Sequence, residues 1–268
     1  MTTSPLTPTE IERAFGELDA MRPPATLLGE WGRFGGFLRR PHMPDVRGRE
    51  PGKARAVGRM LALDMVVMVA LLTLFGLASA LGFEPPDNVN NALGLSLGAI
   101  VLVVVIAPVL EELIFRSWLT GRPAVMAAIA VCVVGFGVVP YGVSQIDPER
   151  TIPLLLAIGP LVAMVAAPLA AYTLLSHPAP RLFIAGFPVF FWLSTLGFAL
   201  VHLANYTDAS WAMLGILLPL VLPQFALGTM LGYLRVHYGL GAAFALHASH
   251  NALLFGLALL SKSVEGAV

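Results

Sequence analysis

The residues of this chain that can do acid–base chemistry fall inside its most apolar stretches. Glu111 and Glu112 stand side by side in APVLEELIFRSWL, with Arg116 five residues beyond the first. His202 lies in FALVHLANY, and His247, His250 and Asn251 lie in FALHASHNALL. An ionisable side chain placed in a membrane span costs about 2.5–3.5 kcal/mol on insertion scales, so each needs a reason to be there. A carboxylate in a partly dry site suits general-base work on a water. An imidazole nearby can share that water, and a second histidine with an asparagine one turn on can donate to a developing oxyanion. These are parts for hydrolysing an amide with an activated water. The same Glu and His residues could instead hold a metal.

Spacing sorts the roles. Glu112 and Arg116 are at i, i+4 and can pair on one helix face. Glu111 is turned about 100° from Glu112 and is left without that partner. Pro108, about one turn earlier, disturbs the helix and frees backbone carbonyls, which could widen a pocket beside Glu111. His247 and Asn251 are at i, i+4 and share a face that His250 shares or borders. Asp64, five residues from Arg59, is read as interfacial and given no role. A packed polar cluster with no chemistry would explain Glu112 and Arg116, but not the second carboxylate.

Other hydrolase signatures are absent or misplaced. There is no H-E-x-x-H, and Asp87, Asp147 and Asp208 fall in loops rather than as a paired intramembrane dyad. The GxSxG string Gly94–Gly98 (GLSLG) opens an apolar helix, not a strand-to-helix turn. The single cysteine, Cys132, excludes an intramolecular disulfide.

The elements that must carry these residues are membrane helices. Of 268 residues, 57% are hydrophobic and only 12% charged, against about 25% charged in soluble domains. Seven apolar runs, at roughly 57–82, 93–119, 123–143, 152–175, 182–204, 211–234 and 241–260, are each long enough to cross about 30 Å of hydrocarbon. Runs this continuous are helices, since barrel strands would alternate. The fold expected is thus all-α, a polytopic bundle of about seven transmembrane helices spanning 57–268 behind a polar cytoplasmic region, 1–56. Within that region Thr9–Met21 could be a short amphipathic helix, and Arg22 to Lys53 reads as mostly irregular. Ten of the 16 Lys and Arg lie in residues 1–59, which puts the N-terminus in the cytoplasm and the chain in the cytoplasmic membrane. Net charge is zero; no nucleic-acid partner is expected, and the lipid bilayer is.

Glu111–Arg116 (EELIFR), Phe198–His202 (FALVH) and His247–Asn251 (HASHN) resemble, in order, the EExxxR, FxxxH and HxxxN motifs of the CPBP family of CAAX prenyl proteases and bacteriocin-processing enzymes. The resemblance covers about 93–122 and 182–260. It implies a membrane helical bundle and a peptidase in which Glu111 activates water and Glu112 and Arg116 support it. His202 then helps hold the water, and His247 and Asn251 stabilise the oxyanion. It leaves open a metal-free glutamate mechanism or a metal such as zinc, with Glu111, His202 and His247 as ligands. The substrate implied is a membrane-associated, prenylated or bacteriocin-like protein. One departure from the family pattern is the insertion of 123–175, read as two further spans. A proton- or ion-coupled transporter and a non-catalytic scaffold are the alternatives.

Helical rise sets one condition on this site. Glu111 is about 16 Å along its helix from Arg122, and His247 about 18 Å from Arg235, whereas His202 is about 31 Å from Arg181. The three can meet only if the helix bearing His202 starts outside the bilayer, tilts, or breaks at Gly186-Phe187-Pro188.

Overall fold

The computed structural model describes residues 24–44, 50–88, 96–131, 179–207 and 214–265. Among them the chain is helical: α1 Leu27–Arg39, α2 Lys53–Ala80, α3 Leu97–Thr120, α4 123–131, α5 Arg181–Ala185, α6 Phe187–Asn205, α7 Leu214–Leu220, α8 Leu222–Tyr238 and α9 Leu240–Glu265. Among the described residues, four helices are long and apolar enough to cross a membrane: Lys53–Ala80, Leu97–Thr120, Phe187–Asn205 and Leu240–Leu260. They answer to four of the seven expected spans. The expected span at 152–175, most of that at 123–143, Cys132 and the Thr9–Met21 segment lie outside the described residues.

Two local expectations are corrected. The stretch 211–234 is not one helix: α7 ends at Leu220 and α8 begins at Leu222. Pro219 sits inside α7 and Pro223 in the first turn of α8, so the missing amide hydrogens break the ladder at Val221. The region from Arg22 to Lys53, read as mostly irregular, also carries a helix, Leu27–Arg39. Thr26 caps it, its hydroxyl accepting from the Gly29 amide at 3.1 Å.

α8 is the centre of the bundle. Every residue from Leu227 to Leu234 is buried, and α9, α6 and α2 pack around it. Gly232 lets α6 approach closely: a Cβ there would stand 2.6 Å from the Phe191 ring. α1 joins this core through Phe34 and Phe37, which meet the Tyr233 ring edge-on, Phe37 also meeting Phe191.

The same face of α1 is held by buried charge. Arg33 grips Glu50 with two bonds of 2.6 Å, and His237 Nδ1 lies 2.8 Å from Glu50 Oε1. One turn earlier, Glu30 accepts from Tyr233 and Tyr238 at 2.7 and 2.9 Å. Burial alone would raise the Glu50 carboxyl, but hydrogen bonds with His237 and Arg33 outweigh it and hold the group at about 2 instead of 4.5. A depressed carboxyl stabilises the folded state at pH above its ordinary value, and that stabilisation is lost as pH falls through the depressed one. We therefore expect α1 to loosen between about pH 4.5 and 2. Faster hydrogen exchange across Leu27–Arg39 at pH 3 than at pH 6, after correction for the intrinsic rate, would show it, and Glu50→Gln should remove most of the difference.

Candidate active site

Three elements bring the polar residues together: α3, α6 and α9. α3 is not a uniform helix. It turns once as a π-helix over Leu102–Ile106 before the α-helical segment Ala107–Arg116, and the Ala107 amide reaches back to the Leu102 carbonyl. The next residue is Pro108, which has no amide hydrogen to give. The Val103 carbonyl is thereby left without its backbone donor, and Asn251 Nδ2 takes the place at 2.8 Å. The disturbance expected at Pro108 is thus present as a π turn, and the last helix closes it.

The α-helical segment that follows carries the two carboxylates in different surroundings. Glu112 is sealed, its side chain 1% exposed, with Oε1 3.4 Å from Arg116 Nη1 and 3.0 Å from His247 Nδ1. Glu111 keeps 26% of its side chain open, and its Oε2 lies 3.5 Å from His247 Nε2. His247 therefore sits between the pair, one nitrogen towards each carboxylate. The i, i+4 pairing of Glu112 with Arg116, and the separate position of Glu111, are as the spacing required.

Arg116 is fully buried. Besides Glu112, its guanidinium lies over the Phe198 ring, 3.8 Å from the centroid. That ring is a common wall, meeting His202 at 4.9 Å and His247 at 5.6 Å between centroids. The room for it comes from Gly228 on α8, where a Cβ would stand 3.1 Å from Phe198 and 3.2 Å from Arg116. Arg235 of α8 caps this end of α3, donating to the Arg116 and Ser117 carbonyls at 3.0 and 3.2 Å.

His202 reaches the same wall, and its helix is interrupted at one of the places the rise allowed. α5 stops at Ala185, Gly186 interrupts it, and α6 restarts with Pro188 in its first turn. His202 Nδ1 lies 2.7 Å from the Phe198 carbonyl, which can only accept. Nδ1 therefore carries the hydrogen, and Nε2 of the neutral ring is left as an acceptor.

Of the expected residues, Glu111, Glu112, Arg116 and His247 are in direct contact, His202 joins them through Phe198, and Asn251 bonds the π turn rather than either carboxylate. Two participants were not anticipated. Asp64, read as interfacial, is buried and lies 2.6 Å from His250, and Arg235, used above only to gauge the depth of His247, acts as a cap. A lone aspartate in an apolar span is the signal that pointed to the first. Among the described residues no three of His, Cys, Asp and Glu form a group able to hold a metal ion. Glu111, His202 and His247 thus do not fit a resident metal in this arrangement, and no chemical step is drawn through one.

A family model described as type II CAAX prenyl endopeptidase Rce1-like matches residues 93–253, more than half of the chain. The chain belongs to this Rce1-like family. No curated protein and no solved structure matches it. The Rce1-like family is one of peptidases, and with the four apolar helices it makes this an integral membrane protein. The matched segment holds Glu111, Glu112, Arg116, His202, His247 and Asn251, and it leaves out α1 and all of α2, Asp64 included.

The Val103–Asn251 bond carries its own expectation. Asn251→Leu fills similar space but leaves a carbonyl unpaired in a dry site, at a cost of about 1–3 kcal/mol. A lower unfolding midpoint in detergent would register it, and Asn251→Gln should not restore the wild-type value because the longer amide misplaces its donor.

Proposed function

We propose that this Rce1-like protein is an intramembrane endopeptidase that cleaves a membrane-associated protein with a water activated by Glu111. The observation that carries the reading is the division of labour between adjacent carboxylates. Glu112 is consumed by Arg116 and His247, while Glu111 stays partly open with an imidazole 3.5 Å away.

In this mechanism a water bound at Glu111 gives up a proton to that carboxylate as its oxygen attacks the scissile carbonyl. His202 Nε2, an acceptor on the same wall, helps hold the water. The peptide C–N bond breaks as Glu111 returns the proton to the leaving nitrogen. An asparagine amide has two hydrogens; one is held by Val103, and the second serves the oxyanion together with Nε2–H of a protonated His247, whose other N–H stays on Glu112. Arg116 holds Glu112, which in turn orients His247. The proposal places the N-terminus and the Arg116–Arg122 end of α3 on the cytoplasmic side, with the substrate presented from the bilayer, prenylated or not.

The test is cleavage of a fluorogenic peptide panel, including prenylated CAAX peptides, by purified protein with and without chelator. Loss of cleavage in Glu111→Ala and in His247→Ala would support the reading, and an unchanged rate under chelation would support the metal-free step. Folded wild type that cleaves nothing, while proton flux in liposomes depends on Glu111, would replace it with a carrier.

A further inference from the structure

One buried ionisable pair has no part in that mechanism. Asp64 lies within the apolar helix α2 and is fully buried. Its Oδ2 stands 2.6 Å from His250 Nδ1, and its Oδ1 has no hydrogen-bond partner among the described residues. A half-satisfied carboxylate inside a membrane helix is a poor source of stability, and an apolar side chain of similar volume often does as well. What the pair does supply is direction.

His247, His250 and Asn251 occupy little more than one turn of α9, and between them they reach two elements, with only His250 reaching α2. His247 bonds Glu112 on α3, His250 bonds Asp64 on α2, and Asn251 bonds Val103 in the π turn. Lipid tails give packed helices little hydrophobic reason to prefer one rotation over another, so polar attachments decide it. A rotation of about 20° moves an atom 5 Å from the helix axis by nearly 2 Å. Displacements of about 1 Å at a reacting centre can cost 10²-fold in rate.

We propose that Asp64 is a positioning residue for this site: by holding His250 it fixes the rotation of α9, which keeps His247 Nε2 beside Glu111. Its kinetic consequence rests on the endopeptidase reading; its geometric content does not. The brace comes from α2, outside the 93–253 segment that carries the family's own residues.

The experiment uses the full chain in nanodiscs, with Asp64→Ala, Asp64→Asn and the double variant Asp64→Ala/His250→Ala. Steady-state cleavage is read beside the ¹⁵N ring signals of His247, assigned through His247→Gln. Asp64→Ala should lower kcat by roughly 10- to 100-fold with KM within about twofold, and should move the His247 signals. Asp64→Asn keeps an oxygen acceptor for the His250 ring and should restore most of both. The double variant should be no worse than Asp64→Ala alone. Should Asp64→Ala not fold, Asp64→Leu removes the acceptors while filling the volume. A folded variant with wild-type kcat and unmoved His247 signals overturns the proposal, as does an Asp64→Asn no better than Asp64→Ala. If wild type cleaves nothing, the endopeptidase reading falls, and the ring signals alone still decide whether Asp64 sets His247.

Discussion

Glu111→Gln should fold as wild type does and lose about 10²–10⁴-fold in kcat, the range that a positioned general base contributes. The glutamine is nearly isosteric and cannot take the proton of a water. Glu111 is the partly open member of the pair, and its recorded neighbour, His247, is 3.5 Å away, so little of the bundle depends on it. The unfolding midpoint should move by no more than a degree or two, since about 1 kcal/mol shifts a protein of this size by about 2–4 °C. KM should stay near the wild-type value, because the lost interaction belongs to the transition state. A Glu111→Gln protein that cleaves at even a tenth of the wild-type rate would exclude Glu111 as the base.

The adjacent substitution should behave differently. Glu112→Gln removes the counter-ion that lies 3.4 Å from a fully buried guanidinium and the carboxylate that holds His247 Nδ1. Breaking a buried ion pair from one side costs about 3–5 kcal/mol, because the other charge is left behind. The expected result is a midpoint lower by roughly 10 °C together with loss of cleavage. The double variant Glu112→Gln/Arg116→Leu separates the two effects. It should recover much of the stability, since no buried charge remains unpaired, and little of the activity, since a neutral amide that accepts from His247 Nδ1 cannot stabilise a charged ring. Equal midpoints for Glu112→Gln and wild type would show that the pair is not what holds α3, α6 and α9 together. Neighbouring carboxylates thus give one variant that separates chemistry from folding and one that cannot.

Much of this site was legible in one dimension. The i, i+4 relation of Glu112 to Arg116 fixed which carboxylate would be consumed, because a helix allows few other outcomes at that spacing. The 31 Å mismatch at His202 called for an outside start, a tilt or a break, and Gly186-Phe187-Pro188 was the place that could supply a break. What periodicity could not show was pairing at long range. Asp64 and His250 are 186 positions apart, and nothing in an apolar run says which way one of its members faces. α1 was missed for a related reason. Gly29, Gly32, Gly35 and Gly36 each disfavour helix locally by about 1 kcal/mol, and long-range contacts, the burial of Phe34 and Phe37 against Tyr233 and the bonds of Glu30 and Arg33, outweigh them. The split at Val221 was in view as Pro219 and Pro223, but hydropathy runs straight through both.

The π turn at Leu102–Ile106 lets α3 carry one residue more than an unbroken α-helix would over the same turn. Removing a single residue from it would let the helix close with ordinary i→i+4 bonds. Because the π turn absorbs that residue within one turn, everything upstream would keep nearly its bearing and depth relative to Glu111 and Glu112. A chain shortened by one residue in this window would still span the bilayer, with Ser96–Val101 showing its neighbours much the same surface.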